Sequence, residues 1–477
     1  MYRKSLYKKN FLLCTIAGIL IFSHFGSADA NTPPLEIPKV SVQEGQETFN
    51  NVLIRDKYTA VSAGGAGAVA IIRKAIVFSD MTAIAASRAG RVDAKEIKAT
   101  AIISGLELAS GIINIEDSIV TVKGNHKSYG LTFSKASKLI AKENEFILNS
   151  ATLNNTKVLV EDGIGILGPF DDAEIQLKNS EIRADMLLRN DQSPEINPTI
   201  LTLTADHSIL EGRVRTTQKH VTIFNLNDNS KWTLKISQNE PPRAGSYALV
   251  DIDKRAQSII SVLNLNKSAI VFKEPTLLTY HHYQTLIVGQ QPPKSEDYEE
   301  SEEFDISKLQ PNRFPDVETV YNATGDARIY FNTKWSDGLT KEQQKTDRLL
   351  IYGNVSGTTT IHFNSLSRSE NAKDEDSIPT NMRGVSLIQV SGKADENSFK
   401  LANGYVTMNG LPYKYTLNAY GPTSNRGKAD EQQNLLREGD NFWDFRLQRD
   451  TLDREAKINA LVPQTASYLV ISPVLFS

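Results

Sequence analysis

The stretch SIVTV, Ser118 to Val122, decides the fold, because its pattern returns along the chain. It reads as serine or threonine, any residue, apolar, any residue, then apolar or small. The same phrase begins at Ser137 (SKLIA), Thr156 (TKVLV), Ser180 (SEIRA), Ser208 (SILEG), Ser230 (SKWTL) and Ser268 (SAIVF). The starts are 19, 19, 24, 28, 22 and 38 residues apart, and the last step is twice 19. A phrase with period-2 apolarity is a strand, and self-similarity at about 20 residues marks a solenoid. The chain is therefore predicted to be all-β, a parallel β-helix of about 15 turns and roughly 70 Å at ~4.8 Å per turn. Within each phrase the hydroxyl residue and the next two alternate positions share a face. Val120 with Val122, Val158 with Val160, Trp232 with Leu234 and Ile270 with Phe272 should stack into ladders around a continuous core. The hydroxyls are placed to bond along the stack or to close its turns. Ala184 and Gly212, small in the last slot, require larger neighbours. A solenoid has no built-in pocket, so function is expected on its surface.

The rest of the chain divides around this texture. Residues 1–30 read as a secretory signal peptide: Arg3, Lys4, Lys8 and Lys9 precede an apolar run from Phe11 to Phe25, and Ala28 and Ala30 fit a small-x-small cleavage site. The single cysteine, Cys14, lies inside that run, so the chain from Asn31 has no disulfide to stabilise it. Residues 31–96 read as an N-terminal leader and cap. The glycines between Ala63 and Phe78 lack the Lys-Ser/Thr ending of a phosphate loop. Strand texture begins near Ile97 and gives a shaft over 97–290. Residues 291–313 carry seven carboxylates between Glu296 and Asp305, a self-repelling block that reads as a solvated acidic insertion. A second β section covers 314–447. Residues 448–477 form a last segment whose apolar end is broken by Pro463 and Pro473, too short to span a bilayer as a helix.

Chemistry is sparse. The chain has 53 basic and 56 acidic residues, a net charge of -3, which leaves no electrostatic footprint for nucleic acid. Beyond the leader, His126, His207, His220, His281, His282 and His362 show no metal-ligand spacing. No Gly-x-Ser-x-Gly elbow occurs, and the repeated phrases carry no recurring acidic set of the kind glycan cleavage requires. No catalytic, cofactor-binding or metal site is predicted, and the chain is expected to act as a monomer without nucleic acid or small-molecule cofactor.

The C-terminal section resembles a known family. The blocks are DRLLIYGNVSGTTTIHF (Asp347 to Phe363), GVSLIQVSGKADENSFKLANGYVTMNGLPYKYTLNAYGP (Gly384 to Pro422) and FWDFRL (Phe442 to Leu447). Together they are similar to the pertactin-like end of autotransporter passenger domains of Gram-negative bacteria. Weaker likeness extends through Leu201 to Thr216 and Asn227 to Leu234. The resemblance implies a right-handed parallel β-helix with a C-terminal autochaperone section that folds first and templates the remaining turns. Tyr405, Tyr413, Tyr415, Trp443 and Phe445 would be its aromatic core. It also implies export by the signal peptide and display or release at the cell surface through an outer-membrane β-barrel. Such a barrel takes roughly 250 to 300 further residues. This chain ends in what resembles the linker, so a truncated frame or a separately supplied translocator is expected, with the periplasm as the destination if no translocator is available.

AYGPTSNRGKA and FWDFRL further resemble passengers of bacteria that live on vascular endothelium, a subgroup that includes adhesins and angiogenic factors. The implied function is a virulence factor that binds a host cell-surface receptor or matrix protein and acts as a pro-angiogenic effector. An adhesin without signalling, a glycan-active β-helix enzyme and a remnant lacking its barrel stay open as alternatives. No motif in the sequence locates the receptor-binding residues.

Overall fold

The computed structural model describes residues 33–134, 149–191, 199–217, 220–240, 249–276, 279, 282–290, 318–336, 339–368, 378–408, 413–436 and 439–450. The leader with Ala28 and Ala30, the Ser137 phrase, the acidic insertion and residues 451–477 lie outside them.

The chain winds as a parallel β-helix, as its period-2 phrases predict. Each turn lays one strand on each of three faces. The first turn comprises Leu35–Ile37, Val40–Val42 and Gln46–Asn50, and the second Val52–Asp56, Thr59–Gly64 and Val69–Arg73. Along the coil a strand pairs in parallel with the strand one turn on: Leu35 with Val52, Val40 with Val61, Gln46 with Val69. Among the described residues 29 strands are linked into one sheet, and a second sheet of seven completes the C-terminal half of one face.

The coil starts at Leu35, not near Ile97. Residues read as a leader already form registered turns. Their interior mixes alanines, such as Ala60, Ala70, Ala83 and Ala94, with β-branched residues, such as Val40, Ile54, Val77 and Val92, all buried. Alanine is depleted in strands, so its share of this interior dilutes the strand signal that the valines and isoleucines supply. Towards the C-terminus the interior fills with aromatics. Phe224 meets Trp232 edge-on at 5.1 Å, and Phe272 stacks on Phe331 at 5.2 Å.

The recurring hydroxyl sits at the corner between the third face and the first. Strand pairing aligns Val52, Ala75, Ile97, Ser118, Thr156, Ser180, Ser208, Ser230 and Ser268 in one column. Just before each stands a residue in the left-handed region, such as Asp117 (φ 50), Asn155 (φ 47), Asn179 (φ 49) and Asn229 (φ 67). Asparagine and aspartate tolerate that conformation best among non-glycine residues, which explains the polar punctuation before the phrases. The hydroxyls then serve the buried backbone. Thr156 N donates to Ser180 Oγ, Ser180 N to Ser208 Oγ and Ser208 N to Ser230 Oγ, each at 3.0 Å, and Ser230 N donates to Ser268 Oγ at 3.1 Å. Each serine in turn donates to a carbonyl, as Ser180 Oγ does to Leu153 O and Lys178 O.

This column corrects the turn length. Consecutive corners at Val52, Ala75, Ile97 and Ser118 are 23, 22 and 21 residues apart. The first turn, from Leu35 to Val52, takes only 17 residues, so turn length varies and the 19-residue spacing is not a fixed period of the coil. Val158 pairs directly with Val120, and Ile270 with Trp232. Both 38-residue steps therefore join strands that are direct neighbours in the stack. Among the described residues thirteen strands stack on the first face, from Leu35–Ile37 to Phe399–Leu401. Twelve steps of ~4.8 Å give roughly 58 Å, shorter than the sequence spacing suggests.

Gly212 shows how a small last slot is filled. Backbone of the preceding turn, Leu187 N and Ala184 O, occupies the place a Cβ would take, and Trp232 of the next turn donates Nε1 to Gly212 O at 3.1 Å. At the C-terminal end the parallel order stops. Val385–Val390 pairs antiparallel with Trp443–Arg449, which pairs antiparallel with Lys414–Tyr420. This reversal closes the stack with a cap.

Replacing Ser180 with alanine strips the Thr156 N–H of its buried acceptor and should destabilise the chain by about 1–3 kcal/mol. Urea denaturation followed by circular dichroism will show it as a lowered midpoint. An unchanged midpoint would mean that the hydroxyl column contributes nothing to the stack.

Candidate functional site

Three of the five aromatics expected to form the C-terminal core come together in the cap, and two stand at its margin. Tyr415, Trp443 and Phe445 are buried. Trp443 stacks on Phe445 at 6.0 Å, Phe445 meets Phe399 at 4.9 Å, and Phe399 meets Tyr321 at 5.7 Å. Trp335 packs edge-on against Tyr415 at 5.1 Å. Tyr405 and Tyr413 are only partly buried; the Lys414 ammonium lies 4.9 Å from the Tyr405 ring centre and the Arg449 guanidinium 4.9 Å from that of Tyr413. Tyr405 precedes the two-residue strand Val406–Thr407 and Tyr413 the strand Lys414–Tyr420 that pairs with it, at the edge of the sheet among the described residues.

The closing strand explains FWDFRL. Trp443, Phe445 and Leu447 join the apolar core, while Asp444, Arg446 and Gln448 alternate with them, also buried. Arg446 Nη1 donates to Asp444 Oδ2 at 2.7 Å, Nε to Arg383 O at 2.9 Å and Nη2 to Met382 O at 3.1 Å. Ser386 Oγ donates to the other Asp444 oxygen at 2.5 Å. Gln389 and Gln344 tie the same region to Gln433. Sequence reasoning took the aromatics of this motif and passed over its charges. The alternation of Asp and Arg between three apolar residues was the available signal. Breaking a buried pair strands the remaining charge, so Arg446→Met should destabilise the cap by about 3–5 kcal/mol, read as a lowered denaturation midpoint. A loss below about 1 kcal/mol would exclude a structural role for the pair.

Next to the cap, Asp347 is buried between turns. Its Oδ1 accepts from Gln284 N at 2.7 Å, and its Oδ2 from Asn332 N and Nδ2, both at 2.8 Å. Burial pushes its carboxyl up from an ordinary 3.8 to about 7, against the opposing pull of those donors. The folded chain thus holds this proton more tightly than the unfolded one. The stabilisation is fully present below the unfolded value and is lost as pH rises through about 7. Thermal melts between pH 4 and 8 should show this decline, and Asp347→Asn should flatten it; an identical slope in the variant would assign the effect to other groups.

The middle of the first face is ionic. Lys157 and Arg183 meet Glu181, and Arg183 and Lys273 meet Glu211 at 2.8 and 2.9 Å. Burial pushes the Glu211 carboxyl up, but Lys273, Lys235 and Arg183 outweigh it and hold it below its ordinary range. These charges are mutually satisfied.

The first turns present a different surface. At the corner between the first and second faces, Tyr58, Met81 and Ile103 stack on successive turns. Their backbones are linked by Thr82 N to Tyr58 O at 2.7 Å and Ser104 N to Met81 O at 2.8 Å. Their exposures are 61%, 41% and 40%, large for apolar side chains. Ile102 lies beside Ile103 at 48%, and Ile76 and Phe78 extend the patch onto the first face, with the Arg55 guanidinium 5.2 Å from the Phe78 ring centre. Alternation explains this face: Val77 and Ser79 turn inward, so Ile76 and Phe78 must point out. Contiguous exposed apolar side chains rimmed by polar ones mark an interaction surface. Sequence reasoning missed the patch because Tyr58, Ile76, Phe78 and Met81 lay in residues taken for a leader and cap, apart from Ile102 and Ile103 in the shaft.

No protein-family model matches this chain, and no curated protein matches it in sequence.

Proposed function

We propose that this chain is an exported passenger-type β-helix that binds a host cell-surface receptor or matrix protein and acts as a virulence factor without catalysis. The observation that carries the reading is the apolar corner of Tyr58, Met81 and Ile103 with Phe78 beside it. Water-exposed apolar side chains held in register over three turns form a rigid, pre-organised contact, and rigid aromatic and aliphatic anchors dominate binding energy at interfaces. The signal-type leader, the absence of cysteine beyond it and the resemblance of the C-terminal blocks to autotransporter passengers support export to the cell surface or medium. The buried cap of Trp443, Phe445, Asp444 and Arg446 supports an autochaperone role for the C-terminal section, since a solenoid propagates from a stable end.

The chain from Asn31 to Ser477 should bind cultured endothelial cells, and Tyr58→Ser, Met81→Ser and Ile103→Ser combined should weaken that binding at least about tenfold. Circular dichroism of the variant should be unchanged, because all three side chains are exposed. Receptor phosphorylation in the treated cells identifies an effector; attachment alone identifies an adhesin. Unaltered binding by the triple variant removes the corner from the interface.

A further inference from the structure

A cavity of about 430 Å³ opens beside the C-terminal turns, far along the coil from the apolar corner, and Arg348 lines it. Arg348 begins the strand Arg348–Tyr352 and is fixed by its backbone N–H to Gln284 O at 2.9 Å. Its Nη2 donates to Lys341 O at 2.6 Å, while its Nε is closed off from solvent and has no hydrogen-bond partner. The two fully buried arginines of the described chain are treated differently: Arg213 pairs with Glu240, and Arg446 with Asp444. The acids Asp444 and Glu342 act on Arg348 only through space, and none forms an ion pair with it among the described residues. A largely desolvated guanidinium without a carboxylate is costly. Burial pushes it down to about 10, with Asp444 opposing and Arg446 reinforcing that shift.

The other walls define what fits. His282 Nδ1 and Asp253 Oδ1 are paired at 3.1 Å, and the Tyr283 and Thr285 side chains line the cavity with them. Lys345 stands exposed at the rim. Arg348 and Lys345 are balanced by Asp253 and Glu342, so the site as a whole is neutral. That balance suits one negative charge set against Arg348 and disfavours a dianion such as phosphate, which both acids would repel. A guanidinium fork matches the planar carboxylate. The hydroxyls and the His–Asp pair match a polyhydroxylated ring. The volume suits a single sugar residue.

We propose that this cavity binds a carboxylate-bearing sugar residue, a uronate or a nonulosonate, with its carboxylate on Arg348 and its hydroxyls on His282, Asp253 and Thr285. The site is independent of the apolar corner, so the two stand or fall separately.

Isothermal titration calorimetry of the chain from Asn31 to Ser477 with glucuronate, N-acetylneuraminate, glucose, galactose and inorganic phosphate tests it. One or both acidic sugars should bind with a dissociation constant at or below about 20 mM, and the neutral sugars and phosphate at least about tenfold more weakly. Arg348→Met should abolish the signal, and Arg348→Lys, which keeps the charge but loses the fork, should weaken it at least about tenfold. Lys345→Ala, at an exposed position that folding does not need, should weaken it about threefold and keeps the test open if the arginine variants misfold. The Tyr58, Met81 and Ile103 triple variant should bind the sugar normally. Absence of acidic-sugar binding, equal binding of neutral sugars or phosphate, or binding indifferent to Lys345→Ala and to every folded Arg348 variant overturns the assignment.

Discussion

Everything in this molecule depends on one constraint: a strand of the coil finds its backbone partners only on the turns before and after it. A single turn cannot satisfy its own amides or enclose its own side chains. Stability is therefore a property of the stack, and the places where the stack is pinned matter most. The corner column is one such place. There the strand turns through a left-handed residue, and the serine or threonine that follows lends a hydroxyl to a neighbouring turn. The backbone must sharply change direction at a buried position, and the hydroxyl keeps the amide there from being orphaned. The polar punctuation and the Ser/Thr of the repeat are thus two halves of a single device.

The ends of a coil pose the opposite problem, since a final strand has an open edge. At the C-terminus two reversals of strand direction turn the last edge back on itself, and the Asp444–Arg446 network seals it beneath the 380–384 and 433 segments. This is a costly use of buried charge unless every group is engaged, and the partners of Arg446 show that it is. Polar contacts of this kind are directional, so they set which strand closes the sheet in a way that apolar packing alone does not.

The repeated phrase made the coil and its inward residues legible from sequence, because period-2 apolarity survives wherever valine, isoleucine and leucine line the interior. It did not reveal the first turns, where alanines interleave with the buried valines and isoleucines and dilute the strand signal. Nor did it reveal the true turn length, because matches to a short phrase do not report which strands pair. Tyr415, Trp443 and Phe445 were visible as a cluster, whereas Tyr321, Trp335 and Phe399, distant in sequence, meet them only through the winding. The apolar corner was hidden for a related reason: Tyr58, Met81 and Ile103 are single residues more than twenty positions apart, and only the register makes them neighbours.

The two long steps of the coil, from Ser118 to Thr156 and from Ser230 to Ser268, carry a consequence for how such a chain changes over generations. Val120 meets Val158 and Trp232 meets Ile270 as closely as strands joined by the shortest connections. Contact between neighbouring turns is thus indifferent to how much chain leaves and returns between them. Inserted segments can be gained, exchanged or lost while the stack inherits the same registers and the same hydroxyl column. In such an architecture the outward face is free to diversify and the interior to stay conserved, so what the molecule shows to its surroundings is uncoupled from what makes it fold.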